Sequence, residues 1–171
     1  MVSPKPNYCK LNSDGAFKGN PGPAGSEGLI RGQLRRWVVG YRRRLGVAFN
    51  LLAKLWGFRD GLMLVANRNI SCLKIIMDAE AVVDLIQSAD LSSHAHANIV
   101  SDYSSILGSL QQVQLKHNYR ESNRATDFLA RKAKEQEIPF VILDHMPQEL
   151  CNTTGEDMRR NIYPWACILL N

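Results

Sequence analysis

The chain contains no apolar run approaching the roughly 18 residues that a membrane-spanning helix needs. Residues 1–10 hold none of the apolar core of a secretory leader. From these two absences a cytoplasmic or nuclear protein is expected, with no membrane as partner. Cysteine is scarce and scattered: Cys9, Cys72, Cys151 and Cys167 form no C-x-x-C pair. Neither a zinc site nor a disulfide framework is expected from such spacing. Internal repeats and low-complexity tracts are also missing. Acids are absent from residues 31–44, where Arg31, Arg35, Arg36, Arg42, Arg43 and Arg44 all fall. That stretch suits a phosphate backbone, and it also suits a solvated hairpin face.

What is present is an ordinary globular composition: 171 residues, 45% apolar, 22% charged, net charge +5. One domain with a substantial core is expected, as a monomer. Residues 8–14 read as a first strand. Residues 19–25 read as a loop, since Asn20-Pro21-Gly22-Pro23 favours turns and blocks ladders. Residues 26–31 and 37–43 read as the next two strands of a meander. Leu51, Leu52, Leu55, Phe58, Leu62 and Val65 recur at helical spacing, which predicts a helix over 49–66. Residues 73–77 make a short apolar run suited to a strand buried on both faces. Helices are predicted over 79–88 and 97–110, a strand over 113–119, and a last helix from Asn123 to about residue 135. A meander followed by strand–helix alternation implies an α/β fold with a five-stranded mixed sheet flanked by helices. Residues after 139 are expected to pack loosely or to fray.

Three aspartates stand in settings suited to chemistry. Asp14 ends the first strand, just before Lys18-Gly19-Asn20-Pro21-Gly22-Pro23-Ala24-Gly25. Asp78 closes Leu73-Lys74-Ile75-Ile76-Met77, and Asp127 lies in Asn123-Arg124-Ala125-Thr126-Asp127-Phe128. Taken singly, each has a plainer reading: a turn residue, the N-cap of the next helix, and a surface acid. Brought together in a fold, the three can hold divalent cations. His94 and His96 have metal-binding chemistry but no convergent partners, and read as a solvated loop.

In this order these motifs resemble a type-1 ribonuclease H domain, most closely the plant ribonuclease-H-like family related to retrotransposon enzymes. The resemblance covers roughly residues 10–164, with the specific motifs ending near 133. It implies a ribonuclease H-like α/β domain over 10–136, after an extension over 1–9 and before a tail over 137–171. It also implies Mg2+-dependent, two-metal hydrolysis of the RNA strand in an RNA–DNA hybrid. The metal ligands implied are Asp14, Asp78 and Asp127. Arg120, or less aptly His117, is implied as the basic residue near the last aspartate. Asn20 is implied to touch the RNA 2′-hydroxyl. Nucleic acid, as a hybrid or in a related form, would meet Lys18, Asn20, Arg31, Arg42, Arg43 and Arg44.

The chain departs from the family at one decisive position. The family reads Ala-Glu-Leu-Trp where this chain has Ala53-Lys54-Leu55-Trp56. Lysine for glutamate removes a ligand and brings a cation towards the metals. Asp60 sits roughly 240° around the helix from Lys54 and points elsewhere. Glu27 lies on another strand, and nothing in the sequence places it in the site. Ala79 and Glu80 also depart, from a usual serine or threonine and a frequent glutamine. The expectation is therefore a hybrid-binding module with impaired hydrolysis. The alternatives are an active hybrid endoribonuclease and a retrotransposon-derived protein-interaction fold.

Overall fold

The structure is a computed structural model. It describes residues 8–33, 36–77, 80, 82, 84, 96–117, 128–129, 131–133 and 137–153. Three strands open the chain: β1 (Cys9–Phe17), β2 (Gly22–Arg31) and β3 (Trp37–Ala48). Helix α1 (Asn50–Asn67) follows, then β4 (Cys72–Met77), α2 (Ala97–Ser109), β5 (Gln112–His117), β6 (Phe140–Leu143) and the short α3 (Gln148–Thr153). Phe128, Leu129 and residues 131–133 are also helical, within the last helix expected from the sequence.

The strands form one mixed sheet in the order β5-β4-β1-β2-β3-β6. The meander β1-β2-β3 is antiparallel, while β4 pairs with β1 and β5 with β4 in parallel. The sheet thus has six strands where five are expected from the sequence. The extra one comes from the segment expected to pack loosely on the domain or to fray: Phe140–Leu143 pairs antiparallel with Gly40–Arg43. Trp37 Nε1 donates to the Leu143 carbonyl at 3.2 Å, and Leu143 and Met146 pack beside Leu29. An apolar four-residue run gains by covering the open edge of β3. β2 and β3 also run longer than expected, to Gly22 and Ala48. Register shifts between Ala24 and Gly25, opposite Gly46 with φ +70°, let β3 bend and continue.

The main core lies between the sheet and α1 and α2. Leu11, Ile30, Val39 and Tyr41 meet Leu55, Phe58, Leu62 and Val65, with Val100 and Tyr103 behind them. Two buried tyrosines pin α1. The Tyr41 hydroxyl donates to the Gly57 carbonyl at 2.5 Å, and the Tyr103 hydroxyl donates to the Leu55 carbonyl. Burial raises the pKa of both phenols, which keeps them neutral donors. Leu29, Leu129 and Leu150 form a smaller core on the opposite face of the sheet.

Two glycines set the helix on the strand. A Cβ on Gly15 would stand 2.7 Å from the Lys54 backbone nitrogen, and one on Gly57 would stand 2.7 Å from the Asp14 backbone carbonyl oxygen. Only residues without side chains permit this approach. It brings the start of α1 against the C-terminal end of β1.

Candidate active site

Asp14 and Lys54 are brought together by that crossing. The Lys54 Nζ lies 3.8 Å from Asp14 Oδ1, and the two side chains are 15% and 18% exposed. Asp14 Oδ1 also accepts the Gly15 N–H at 2.8 Å. A pair this accessible contributes about 1 kcal/mol net of desolvation. Its chemical effect is larger than its energetic one, because a carboxylate oxygen that could face a metal ion faces an ammonium.

The parallel strands bring further residues to this end of the sheet. β4 ends at Met77, level with Ser13, and β5 ends at His117, level with Met77. The backbone of His117 thus reaches the rim where β1 carries Asp14. Asp78, Asp127 and Arg120 lie outside the described residues, as do His94 and Arg35. Among the described residues, no group of three or more histidines, cysteines, aspartates and glutamates is placed to hold a metal.

One acidic neighbour was not legible in the sequence. Glu27 on β2 is the cross-strand partner of Asp14, and Arg42 on β3 is the next in the same row. Directly opposed residues of an antiparallel pair share a face, with Cβ atoms about 5 Å apart. Glu27 is fully buried, between Gly25, which meets Ala133, and Leu29, which meets Leu129. The missing signal was register: β1 and β2 could be read as neighbouring strands of a meander, but not which residue opposes which.

The arginines do not form one patch. Side chains alternate across β3, so Arg42 shares the Glu27 face and Arg43 points to α1. Arg43 donates to Asp60 through one guanidinium edge, Nε at 2.5 Å and Nη2 at 2.9 Å, and lies over the rings of Trp56 and Phe140 at 4.9 and 4.5 Å. Arg59 flanks the other contact of Trp56 and pairs with Asp102 at 2.9 Å. Burial lifts the Asp60 carboxyl above its ordinary value, against the lowering effect of Arg43 and Arg59. Arg43 is therefore a packed ion-pair residue on the α1 side of β3, apart from Arg42 and Arg44. Arg44 is exposed, its N–H held by the Pro139 carbonyl, while Arg31 is half-buried opposite Lys10.

The loop of residues 18–21 carries Lys18 and Asn20, both exposed. Asn20 Oδ1 accepts the Asn50 N–H at 3.0 Å. Phe49, at the start of α1, offers no side-chain cap, so the loop supplies one. This leaves the Asn20 amide NH2 as the group able to donate outward.

The family model described as reverse transcriptase-like matches residues 12–133. The chain belongs to this reverse-transcriptase-like family. An Arabidopsis thaliana protein provisionally named as a ribonuclease H protein is 30% identical over 156 residues. That match takes in 91% of this chain but 25% of the relative, so the chain spans about a quarter of that relative's length. Among solved structures, the N-terminal ribonuclease H domain of a Mycobacterium tuberculosis protein matches with a TM-score of 0.69 at 20% identity, covering 76% of this chain and 95% of that one. Ribonuclease H1 of Halobacterium salinarum matches with a TM-score of 0.68 at 21% identity, over 75% and 98% of the two chains. A ribonuclease H1 solved in complex with an RNA/DNA hybrid matches at 0.66 and 19% identity, over 74% and 96%. The fold is that of ribonuclease H, and the family match ends before β6 and α3.

Proposed function

We propose that this domain binds RNA–DNA hybrid, or a nucleic acid of similar shape, and that its hydrolysis of the RNA strand is impaired. The observation that carries this reading is the Lys54 Nζ at 3.8 Å from Asp14 Oδ1. The family's chemistry implies two divalent ions held by carboxylates, which activate water and stabilise the leaving oxygen. The described part of the ligand set does not fit such a pair. Asp14 is turned to an ammonium, and like charges about 4 Å apart repel by roughly 4 kcal/mol even at an effective dielectric of 20.

What this chain's own residues supply is a binding surface. Lys18 and Arg44 are exposed cations, and the Asn20 amide donates from a loop fixed to α1. A donor held in this way suits a 2′-hydroxyl, which distinguishes RNA from DNA. The Lys54 ammonium offers a fixed positive charge to a phosphate passing over Asp14.

Wild type, Lys54→Glu and Asp14→Asn are to be compared for hybrid binding by anisotropy and for Mg2+-dependent cleavage. Wild type is expected to bind with an affinity that falls steeply with salt, and to cleave no faster than Asp14→Asn. Lys54→Glu should bind Mg2+ more tightly by calorimetry. Robust wild-type cleavage that is lost in Asp14→Asn would establish the active endoribonuclease instead. Failure of every form to bind hybrid would favour a protein-interaction fold.

A further inference from the structure

We propose that Val47 and Phe49 form an apolar platform for an unpaired nucleotide at the end of the bound nucleic acid; this rests on the nucleic-acid reading above. Val47 is 72% exposed and Phe49 57%, and among the described residues the one other large apolar side chain exposed to this degree is Ile138, at 63%. They flank Ala48, which is buried against Ala24 and Ala53 beside α1. Phe49 keeps extended backbone, with φ −78° and ψ 153°, so both side chains project together, away from Ala48. Gly15 faces α1 as Ala48 does, which puts Asp14 on the side shared by Val47 and Phe49. Leu45, Phe17 and Leu52 pack beneath this corner and make it firm.

Both residues are tied to the loop of residues 18–21. Val47 stands opposite Pro23, whose carbonyl accepts the Lys18 N–H at 2.9 Å. Phe49 precedes Asn50, whose N–H is held by Asn20. The platform therefore lies beside an exposed lysine and an amide donor. It also lies in a stretch without exposed acid. Between Asp14 and Asp60 the sequence has one acidic residue, Glu27, and it is fully buried. An exposed aromatic in a cationic, acid-poor setting matches a nucleobase next to its phosphates. A protein partner that used apolar contact alone would not require that charge pattern.

The position also fits an end rather than a middle. Val47 is two strand spacings and about four residues of strand rise from Asp14, roughly 15 Å. This corresponds to about four base pairs of duplex. A base paired and stacked within a continuous duplex presents no π-face to a side chain, whereas an unpaired one does. The platform thus selects a junction between hybrid and single strand over continuous hybrid.

The test compares a short blunt RNA–DNA hybrid with the same hybrid carrying an unpaired overhang at either end, using wild type, Phe49→Ala, Phe49→Trp and Lys18→Gln. One overhang is expected to tighten wild-type binding about tenfold, within the range for stacking of one base. Phe49→Ala should lose that gain and keep blunt-hybrid affinity. Phe49→Trp should keep the gain and show quenching of its own fluorescence on binding. Lys18→Gln should weaken both probes alike and lower the salt slope. Equal affinity for both probes in wild type, or a gain that survives in Phe49→Ala, overturns the platform while leaving hybrid binding intact. Absence of binding to either probe in every form overturns both readings. Circular-dichroism melts confirm that each variant is folded.

Discussion

Glu27 stands directly across from Asp14 on the neighbouring strand, sealed from solvent, while Asp14 remains within reach of Lys54. Two carboxylates therefore share a row that continues to Arg42, and the Lys54 ammonium closes the row at its other end. Lys54 is thus the local counter-charge of a two-carboxylate neighbourhood as well as the replacement for a ligand. Restoring glutamate at 54 would gather three carboxylates without a cation between them.

From this follows a coupling between positions 27 and 54. Lys54→Glu is expected to destabilise the metal-free protein by about 2 kcal/mol. Glu27→Gln in the Lys54→Glu background should recover a large part of that loss. Urea melts of the four proteins form a double-mutant cycle. Additive effects would show that the two side chains do not sense one another.

The arginines separate into structural and exposed groups. Arg43→Gln is expected to cost about 3 kcal/mol of stability, because it leaves Asp60 buried without its bidentate partner. Arg44→Gln should leave the melting temperature within error and reduce the salt dependence of nucleic-acid binding. Thermal melts and a salt titration of each variant distinguish the two. Equal behaviour of Arg43→Gln and Arg44→Gln in both measurements would contradict the inward placement of Arg43.

Asp60 gives a pH signature. Its carboxyl is raised from the ordinary value of 3.8, chiefly by burial. The folded state then keeps a proton that the unfolded chain has already released. Stability linked to Asp60 is present below 3.8 and declines as the pH climbs through the raised value. Relative to Asp60→Asn, the wild type should therefore lose ground as the pH increases through that interval. Chemical denaturation across pH 3 to 7 checks it, and a difference that moves the other way would place the Asp60 pKa below normal.

Asn20 joins stability to recognition. Its carbonyl caps α1 from a distance, so Asn20→Ala should cost about 1 kcal/mol. Asn20→Asp keeps the acceptor and removes the outward donor. It should hold stability and weaken binding to hybrid relative to duplex DNA. Loss of stability in Asn20→Asp equal to that in Asn20→Ala would refute the capping contact.

Much of this was open to reading in the residues themselves. A short run before the glycine- and proline-rich loop marked β1, helical spacing marked α1, and the resemblance to the family marked Lys54 as the departure from its ligand set. The first two depend on local geometry, because a side chain's face on its own strand or helix is set by counting. Three other features were decided only by the tertiary structure. Glu27 became the neighbour of Asp14 through strand register, which turns and bulges settle and alternation alone does not. Arg43 turned inward because β3 runs unbroken from Trp37 and Asp60 waits on α1 to receive it. Residues 140–143 became a sixth strand because β3 left an open edge, and no pattern within four apolar residues names the strand they will join.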